Sequence, residues 1–224
     1  RKEYYMIPEE ANAEFVYAME QVLQVYQRPY DPSNPVVCMD ESPCQLIGET
    51  RKPFRDAHGV EHADYEYVRN GVASVFVAFE PLAGRRLIRV RDTHKGEDFV
   101  AFMGEVARMH PQADKVTVIL DNLSTHKKSA FYNFLPPQDA KALADRFEFV
   151  YTPKHGSWLN MAEIELRILK KQCLSKRMPD KETMQEQVEA WVADKNNKAE
   201  KADWQFTIDK ARTKLKRLYP KVGY

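Results

Sequence analysis

Apolar residues recur along this chain in two periods, and the switches between them outline its elements. Residues 8–28 carry Phe15, Ala18, Val22 and Val25 at helical spacing behind Pro8, Glu9 and Glu10, which suit a helix start. Three prolines, Pro29, Pro32 and Pro35, then break the pattern. Residues 36–40 form a continuous apolar run that ends in Asp40, as a buried strand delivering a carboxylate would. Residues 42–64 are rich in charge, Pro and Gly and read as a long loop or short hairpin. A short strand at 65–69 leads into Asn70-Gly71, a strong turn signal, and a Val- and Phe-rich strand follows at 72–80. Residues 81–84 turn the chain, and 86–91 alternate basic and apolar side chains.

Residues 95–110 return to helical spacing through Phe99, Phe102, Met103 and Val106. A second apolar strand, 116–120, again ends in an acid, Asp121. Residues 124–134 and 138–146 read as helices separated by Pro136-Pro137, and 147–151 as a strand. Residues 159–174 form a helix with an apolar stripe at Leu159, Ala162, Leu166, Leu169 and Cys173; two more helices follow at 180–200 and 207–218. A strand meander followed by alternating helices and strands predicts an α/β fold with mixed strand directions.

Composition narrows the class. Hydrophobic residues at 43% and charged residues at 30% describe a folded globular chain, which excludes a disordered one. No apolar run approaches the roughly 18 residues a membrane span needs, so no membrane partner is expected. The start, Arg1-Lys2-Glu3-Tyr4-Tyr5, holds no apolar signal core. Three cysteines, Cys38, Cys44 and Cys173, make no C-x-x-C pair, and an odd count argues against a disulfide framework. The net charge of +1 hides an asymmetry: residues 166–224 hold 15 Lys/Arg against 8 Asp/Glu, and residues 1–165 hold 19 against 25. A basic tail behind an acidic body fits a polyanion held by one part and cations by another, or equally a solvated helical surface.

The acids stand where chemistry can use them. Asp40 and Asp121 end apolar strands, and Glu163 lies near the start of the 159–174 helix. Strand ends of an α/β sheet converge on one crevice. Carboxylates gathered there repel one another, and a divalent cation relieves the repulsion. Two such ions about 3.5–4 Å apart serve in-line phosphoryl transfer. Position alone is weak support, because acids at strand ends often only cap loops.

The surrounding wording is more specific. Val37-Cys38-Met39-Asp40-Glu41-Ser42, then Val118-Ile119-Leu120-Asp121-Asn122-Leu123-Ser124-Thr125-His126-Lys127, then Tyr151-Thr152-Pro153-Lys154-His155-Gly156-Ser157-Trp158-Leu159-Asn160-Met161-Ala162-Glu163 resemble, in order, the three catalytic blocks of the DDE superfamily endonucleases. More closely, they resemble bacterial insertion-sequence transposases related to the mariner group. The resemblance spans residues 36–178, with 1–35 as an N-terminal helix and linker and 179–224 as a basic helical extension. It implies a ribonuclease-H-like fold with a mixed five-stranded sheet flanked by helices. Asp40, Asp121 and Glu163 are then the catalytic, metal-holding carboxylates, for Mg²⁺ or Mn²⁺ and two ions. The implied reaction cleaves double-stranded DNA at transposon ends and transfers the freed 3′ hydroxyl into target DNA, in this group usually at TA. It further implies a homodimer on DNA and a bacterial, cytoplasmic, nucleoid-associated setting.

Two departures accompany the match. Asp121 and Glu163 stand 42 positions apart, longer than mariner-type spacing, and the excess is placed at 136–145 as a surface insertion. The N-terminal helix-turn-helix modules usual in such proteins are not found here, and 1–35 reads as the linker that would follow them.

Other residues carry paired readings. His155, Asn160, Arg167, Lys170 and Lys171 are candidate DNA contacts, since Lys and Arg neutralise phosphate without reading sequence. Asn160 or Ser157 could instead cap the helix, and Arg167 could pair with Glu163. Asn122 and His126 are supporting residues that either orient the Asp121 loop or touch phosphate, with a capping role as the alternative. Trp158 is assigned to core. Glu41, facing away from Asp40 by strand alternation, is expected as a surface or loop-pairing residue, and Glu165, about 200° around the helix from Glu163, is expected in solvent. A non-cutting DNA-binding relative, and a nuclease that does not join strands, remain open beside the main reading.

Overall fold

The computed structural model describes residues 8, 10–62 and 64–221. Helix α1, Ala13–Tyr26, starts later than its apolar pattern predicts. The Asn12 side chain accepts the Phe15 N–H at 2.9 Å and sets the start, so Pro8 and Glu10 lie ahead of the helix; Glu9 lies outside the described residues. Its buried face is Phe15, Met19, Val22, Leu23 and Tyr26.

The sheet is built from β1 (Val36–Glu49), β4 (Tyr67–Glu80), β5 (Arg85–Arg91), β6 (Val116–Leu120) and β7 (Phe147–Tyr151). Its order is β5-β4-β1-β6-β7. β1, β4 and β5 run antiparallel as a meander, while β6 and β7 lie parallel to β1. A small hairpin, β2 (Phe54–Arg55) with β3 (Glu61–His62), stands between β1 and β4.

Two expectations change here. β1 does not stop at Asp40; it runs to Glu49 because β4 pairs with its whole length. Cross-strand hydrogen bonds thus carry a polar sequence into strand. Asn70-Gly71 is not a hairpin turn. The register shifts between Leu46, opposite Gly71, and Ile47, opposite Arg69, so Asn70 is the extra residue of a bulge. Gly71 takes φ 110°, the freedom that signalled a turn in sequence. The expected strands at 65–69 and 72–80 are therefore one strand, and the sheet has five.

Helix α2 (Gly96–Met109), a turn at Lys128–Ala130, α3 (Phe131–Phe134) and α4 (Pro137–Asp145) cover one face of the sheet. There Val37, Met39, Val118 and Leu120 meet Phe99, Phe102 and Phe131. The supposed insertion at 136–145 is largely α4, and it buries Ala140 and Ala144 in that core rather than lying loose on the surface. Helices α1, α5 (Met161–Gln172), α6 (Lys181–Lys198) and α7 (Ile208–Lys214) cover the other face over Cys38, Val75, Val77 and Ile119. The period-2 alternation of β1 divides these two cores: Val37 and Met39 go one way and Cys38 the other.

Candidate active site

The alternation that sends Cys38 toward α5 also sends Asp40 there. Glu163 stands in the first turn of α5. Asp40 and Glu163 line one cavity of about 410 Å³ with Glu41, Ser42, Leu166, Arg167 and Lys170. Lys170 Nζ donates to Ser42 Oγ at 2.5 Å, which ties the basic face of α5 to β1. Burial pushes the Asp40 carboxyl up to about 7, and the negative charges of Glu41, Glu163 and Asp121 add to the rise. The Glu41 N–H, donating to Asp40 Oδ1 at 2.9 Å, offsets only part of it.

Asp121 follows the last residue of β6 and lines a second cavity of about 520 Å³ with Asn122, Leu123, Thr152, Pro153, Lys154, His155 and Ser157. His126 is buried and its Nδ1–H donates to Asp121 Oδ1. Its Nε2 lies 3.2 Å from Glu41 Oε2, an ionic contact whose angles leave that oxygen without a directed hydrogen bond. The imidazole packs on Phe99 with ring centres 4.7 Å apart. Burial pulls the His126 pKa down, but the Asp121 hydrogen bond and the Glu41 carboxylate outweigh it and raise it to about 9. At neutral pH an imidazolium therefore bridges two acids, one from β1 and one after β6.

The structure sorts the predicted residues. Asp40, Glu163, Arg167 and Lys170 share one cavity, and Asp121, Asn122 and His155 share the other. Asp121 still adds its charge to Asp40. His155 is exposed and holds φ 63°, a left-handed backbone rare outside glycine. Lys171 is exposed on α5 and lines neither cavity. Asn160 is 2% exposed: its oxygen accepts the Ala162 N–H and its amide donates to Met39 C=O at 2.8 Å, so it caps α5. Trp158 packs against the core, near Phe206.

Glu165 departs from expectation, and Glu41 takes its loop-pairing reading rather than the surface one. Glu41 does face away from Asp40, but into the second core, where it meets His126 rather than water. The signal was present: Glu41 shares its alternation with Val37 and Met39, both core residues. Glu165 points away from Glu163, yet its side chain is only 3% exposed and paired with buried Arg86. No local pattern marks that pair, because Arg86 comes from β5.

Among the described residues, no three His, Cys, Asp or Glu side chains already stand in metal-holding geometry. The donor set nevertheless fits a hard divalent cation. All three carboxylates offer oxygen, and Asp40 is held up at about 7 by burial and like charge, a strain that such a cation relieves.

A mixed sheet of this order, with one acid inside β1, one directly after β6 and one on the helix after β7, defines a ribonuclease-H-like domain. The family model described as DDE superfamily endonuclease matches residues 35–185, and the chain belongs to that family. Its fold is similar to that of several solved structures. One is the Mos1 mariner paired end complex with Mn, at 16% identity and TM-score 0.59, covering 89% of this chain and 61% of that one. A pre-cleavage Mos1 transpososome aligns at 13% identity and TM-score 0.62, over 100% of this chain and 68% of that one. The Mos1 strand transfer complex aligns at 15% identity and TM-score 0.56, over 86% and 58%. At these identities the likeness shows the fold, and this chain spans about three fifths of the first of those proteins. None of the curated proteins matches this chain in sequence. No helix among the described residues is long and apolar enough to cross a membrane.

Proposed function

We propose that this chain is the catalytic domain of a DNA transposase that cleaves transposon-end DNA and transfers the 3′ hydroxyl strand into target DNA. One observation carries the reading: Asp40 and Glu163 line one cavity, with Asp121 close enough to add its charge, in a ribonuclease-H-like fold of the DDE family. Residues 36–178 are the catalytic unit, and 1–35 and 179–224 its flanks.

Asp40, Asp121 and Glu163 would hold Mg²⁺ or Mn²⁺, which when bound activates an attacking oxygen and stabilises a leaving oxygen in phosphoryl transfer. The protein's own part is positioning. His126 holds Asp121 by its Nδ1–H and is itself held near Glu41, so the carboxylate after β6 is oriented from β1. Arg167 and Lys170 stand beside Asp40 and Glu163, where they neutralise the phosphates of a DNA strand entering the cavity. His155, exposed near Asp121, contacts the strand from the other side. The partners are double-stranded DNA and a second copy of the protein, in line with the paired-end and transpososome assemblies in which the Mos1 structures were solved.

The test is supercoiled plasmid with Mg²⁺ or Mn²⁺, followed by oligonucleotides with a free 3′ hydroxyl. Wild type is expected to nick only with metal and to join strands, while Asp121→Asn loses both by at least about a thousandfold. Nicking without joining would identify a nuclease. Equal activity in EDTA or in Asp121→Asn would sink the carboxylate reading.

A further inference from the structure

Two polar side chains outside the cavities hold the helix of Glu163 against the strand of Asp40. The first N–H groups of a helix have no partner inside it. In α5 two of them are met by side chains and a third by the carbonyl of the cap residue. The Met161 N–H donates to the Tyr26 hydroxyl at 3.2 Å. The Ala162 N–H donates to the Asn160 side-chain oxygen at 3.1 Å. Glu163 donates its own N–H to the Asn160 carbonyl at 3.1 Å.

The same two side chains reach the neighbouring elements. The Asn160 amide donates at 2.8 Å to the carbonyl of Met39, the peptide that leads into Asp40. The Tyr26 hydroxyl donates at 2.8 Å to Leu159 C=O and lies 3.3 Å from Cys38 Sγ, two residues before Asp40. Both side chains are buried, so their bonds are short links in a dry interior, where losing one leaves a partner unsatisfied. Tyr26 belongs to α1, outside the 35–185 family match, and its ring stacks on Trp204 of the C-terminal flank at 5.0 Å.

We propose that Tyr26 and Asn160 are positioning residues that set the separation of Asp40 and Glu163, and through it the affinity of the site for a divalent cation. The inference rests on the metal reading given above. It makes cation binding depend on α1, a segment beyond the family's matched core. Partners bonded to the ligands themselves cost about 10–100-fold in metal affinity when removed, and Tyr26 and Asn160, which bond backbone one or two residues from Asp40 and Glu163, are placed at the low end of that range.

The experiment measures Mn²⁺ binding to the whole chain by electron paramagnetic resonance, beside thermal melting. Tyr26→Phe and Asn160→Ala are expected to weaken Mn²⁺ binding about tenfold. Val106→Ala, a cavity in the opposite core, is expected to lower Tm and leave Mn²⁺ affinity unchanged. Asn160→Ser keeps a capping oxygen for Ala162 but cannot reach Met39. It is expected to regain most of the Tm lost in Asn160→Ala and none of the Mn²⁺ affinity. Unchanged Mn²⁺ affinity in Tyr26→Phe and Asn160→Ala, or recovery of both properties by Asn160→Ser, would overturn the proposal. Wild type that binds no Mn²⁺ would overturn the metal reading itself, and this inference with it.

Discussion

Asp40 concentrates the charge conflict of the site on one carboxyl. Its folded pKa of about 7 lies above the unfolded value near 4, so its contribution to stability is complete below about pH 4 and is lost as pH rises through 7. At pH 8 without metal, Asp40→Asn is expected to stabilise the fold by about 2 kcal/mol in denaturant titration while abolishing cleavage. No gain in stability would mean that the acid is not strained. His126 moves the same way for a different reason. Its folded pKa of about 9 exceeds the unfolded 6.5, so the imidazolium contributes fully below pH 6.5 and is lost as pH rises through 9. Melting temperature should therefore fall across pH 6.5–9 in wild type, and this slope should flatten in His126→Gln. An unchanged slope would show that the Asp121 and Glu41 contacts do not hold a charged ring.

At the scale of elements, two glycines with positive φ separate backbone strain from crowding. A methyl at Gly71, φ 110°, meets nothing within 4 Å. Gly71→Ala should cost only the strain of the bulge, about 1–2 kcal/mol. Gly84, φ 68°, sits in the turn between β4 and β5 with the Ala199 carbonyl group 2.5 Å from an added Cβ. Gly84→Ala must also push the end of α6 away, and should cost about 3 kcal/mol or more. Equal losses in urea unfolding would show that the α6 end yields freely. Legibility at this scale followed the same division. The strands at 116–120 and 147–151 and the helix near 95–110 were readable because each is set by apolar residues close together in sequence: β6 is buried throughout, β7 carries Phe147, Phe149, Val150 and Tyr151, and α2 keeps helical spacing. β1 beyond Asp40 and the Asn70 bulge were not, because their conformation comes from each other across the sheet.

For the whole molecule, one core joins the five-stranded sheet to helices from both ends of the described chain. Met19 and Leu23 of α1, Val188 of α6 and Ala211 of α7 share it with Cys38 and Leu166. Arg86 and Glu165 lock the same region: Nε lies 2.5 Å from Oε1, and Arg86 also donates to the carbonyls of Gly84 and Glu200. Arg86→Met, which strands the Glu165 charge in the interior, should destabilise by about 3–5 kcal/mol. The double variant Arg86→Met/Glu165→Leu should recover most of that loss, because both charges leave the core together. Additive losses in the double-mutant cycle would refute the coupling.

Sequence alone determined the α/β class, the two apolar runs that lead into Asp40 and Asp121, the acid on the helix after the last strand, and the ordered blocks that carry the family. Each of these is a local matter of apolar period and residue identity within a few positions. The tertiary structure decided what lies between distant segments. Glu41 became a partner of His126, Asn160 a strap between α5 and β1, and Glu165 half of a buried ion pair. Strand alternation places Glu41 on the Val37 and Met39 side, but only the fold shows that His126 waits there. Polar side chains have no period of their own to announce burial. Their fate depends on which partner the fold brings across, such as Tyr26 to Leu159 over 133 positions of chain.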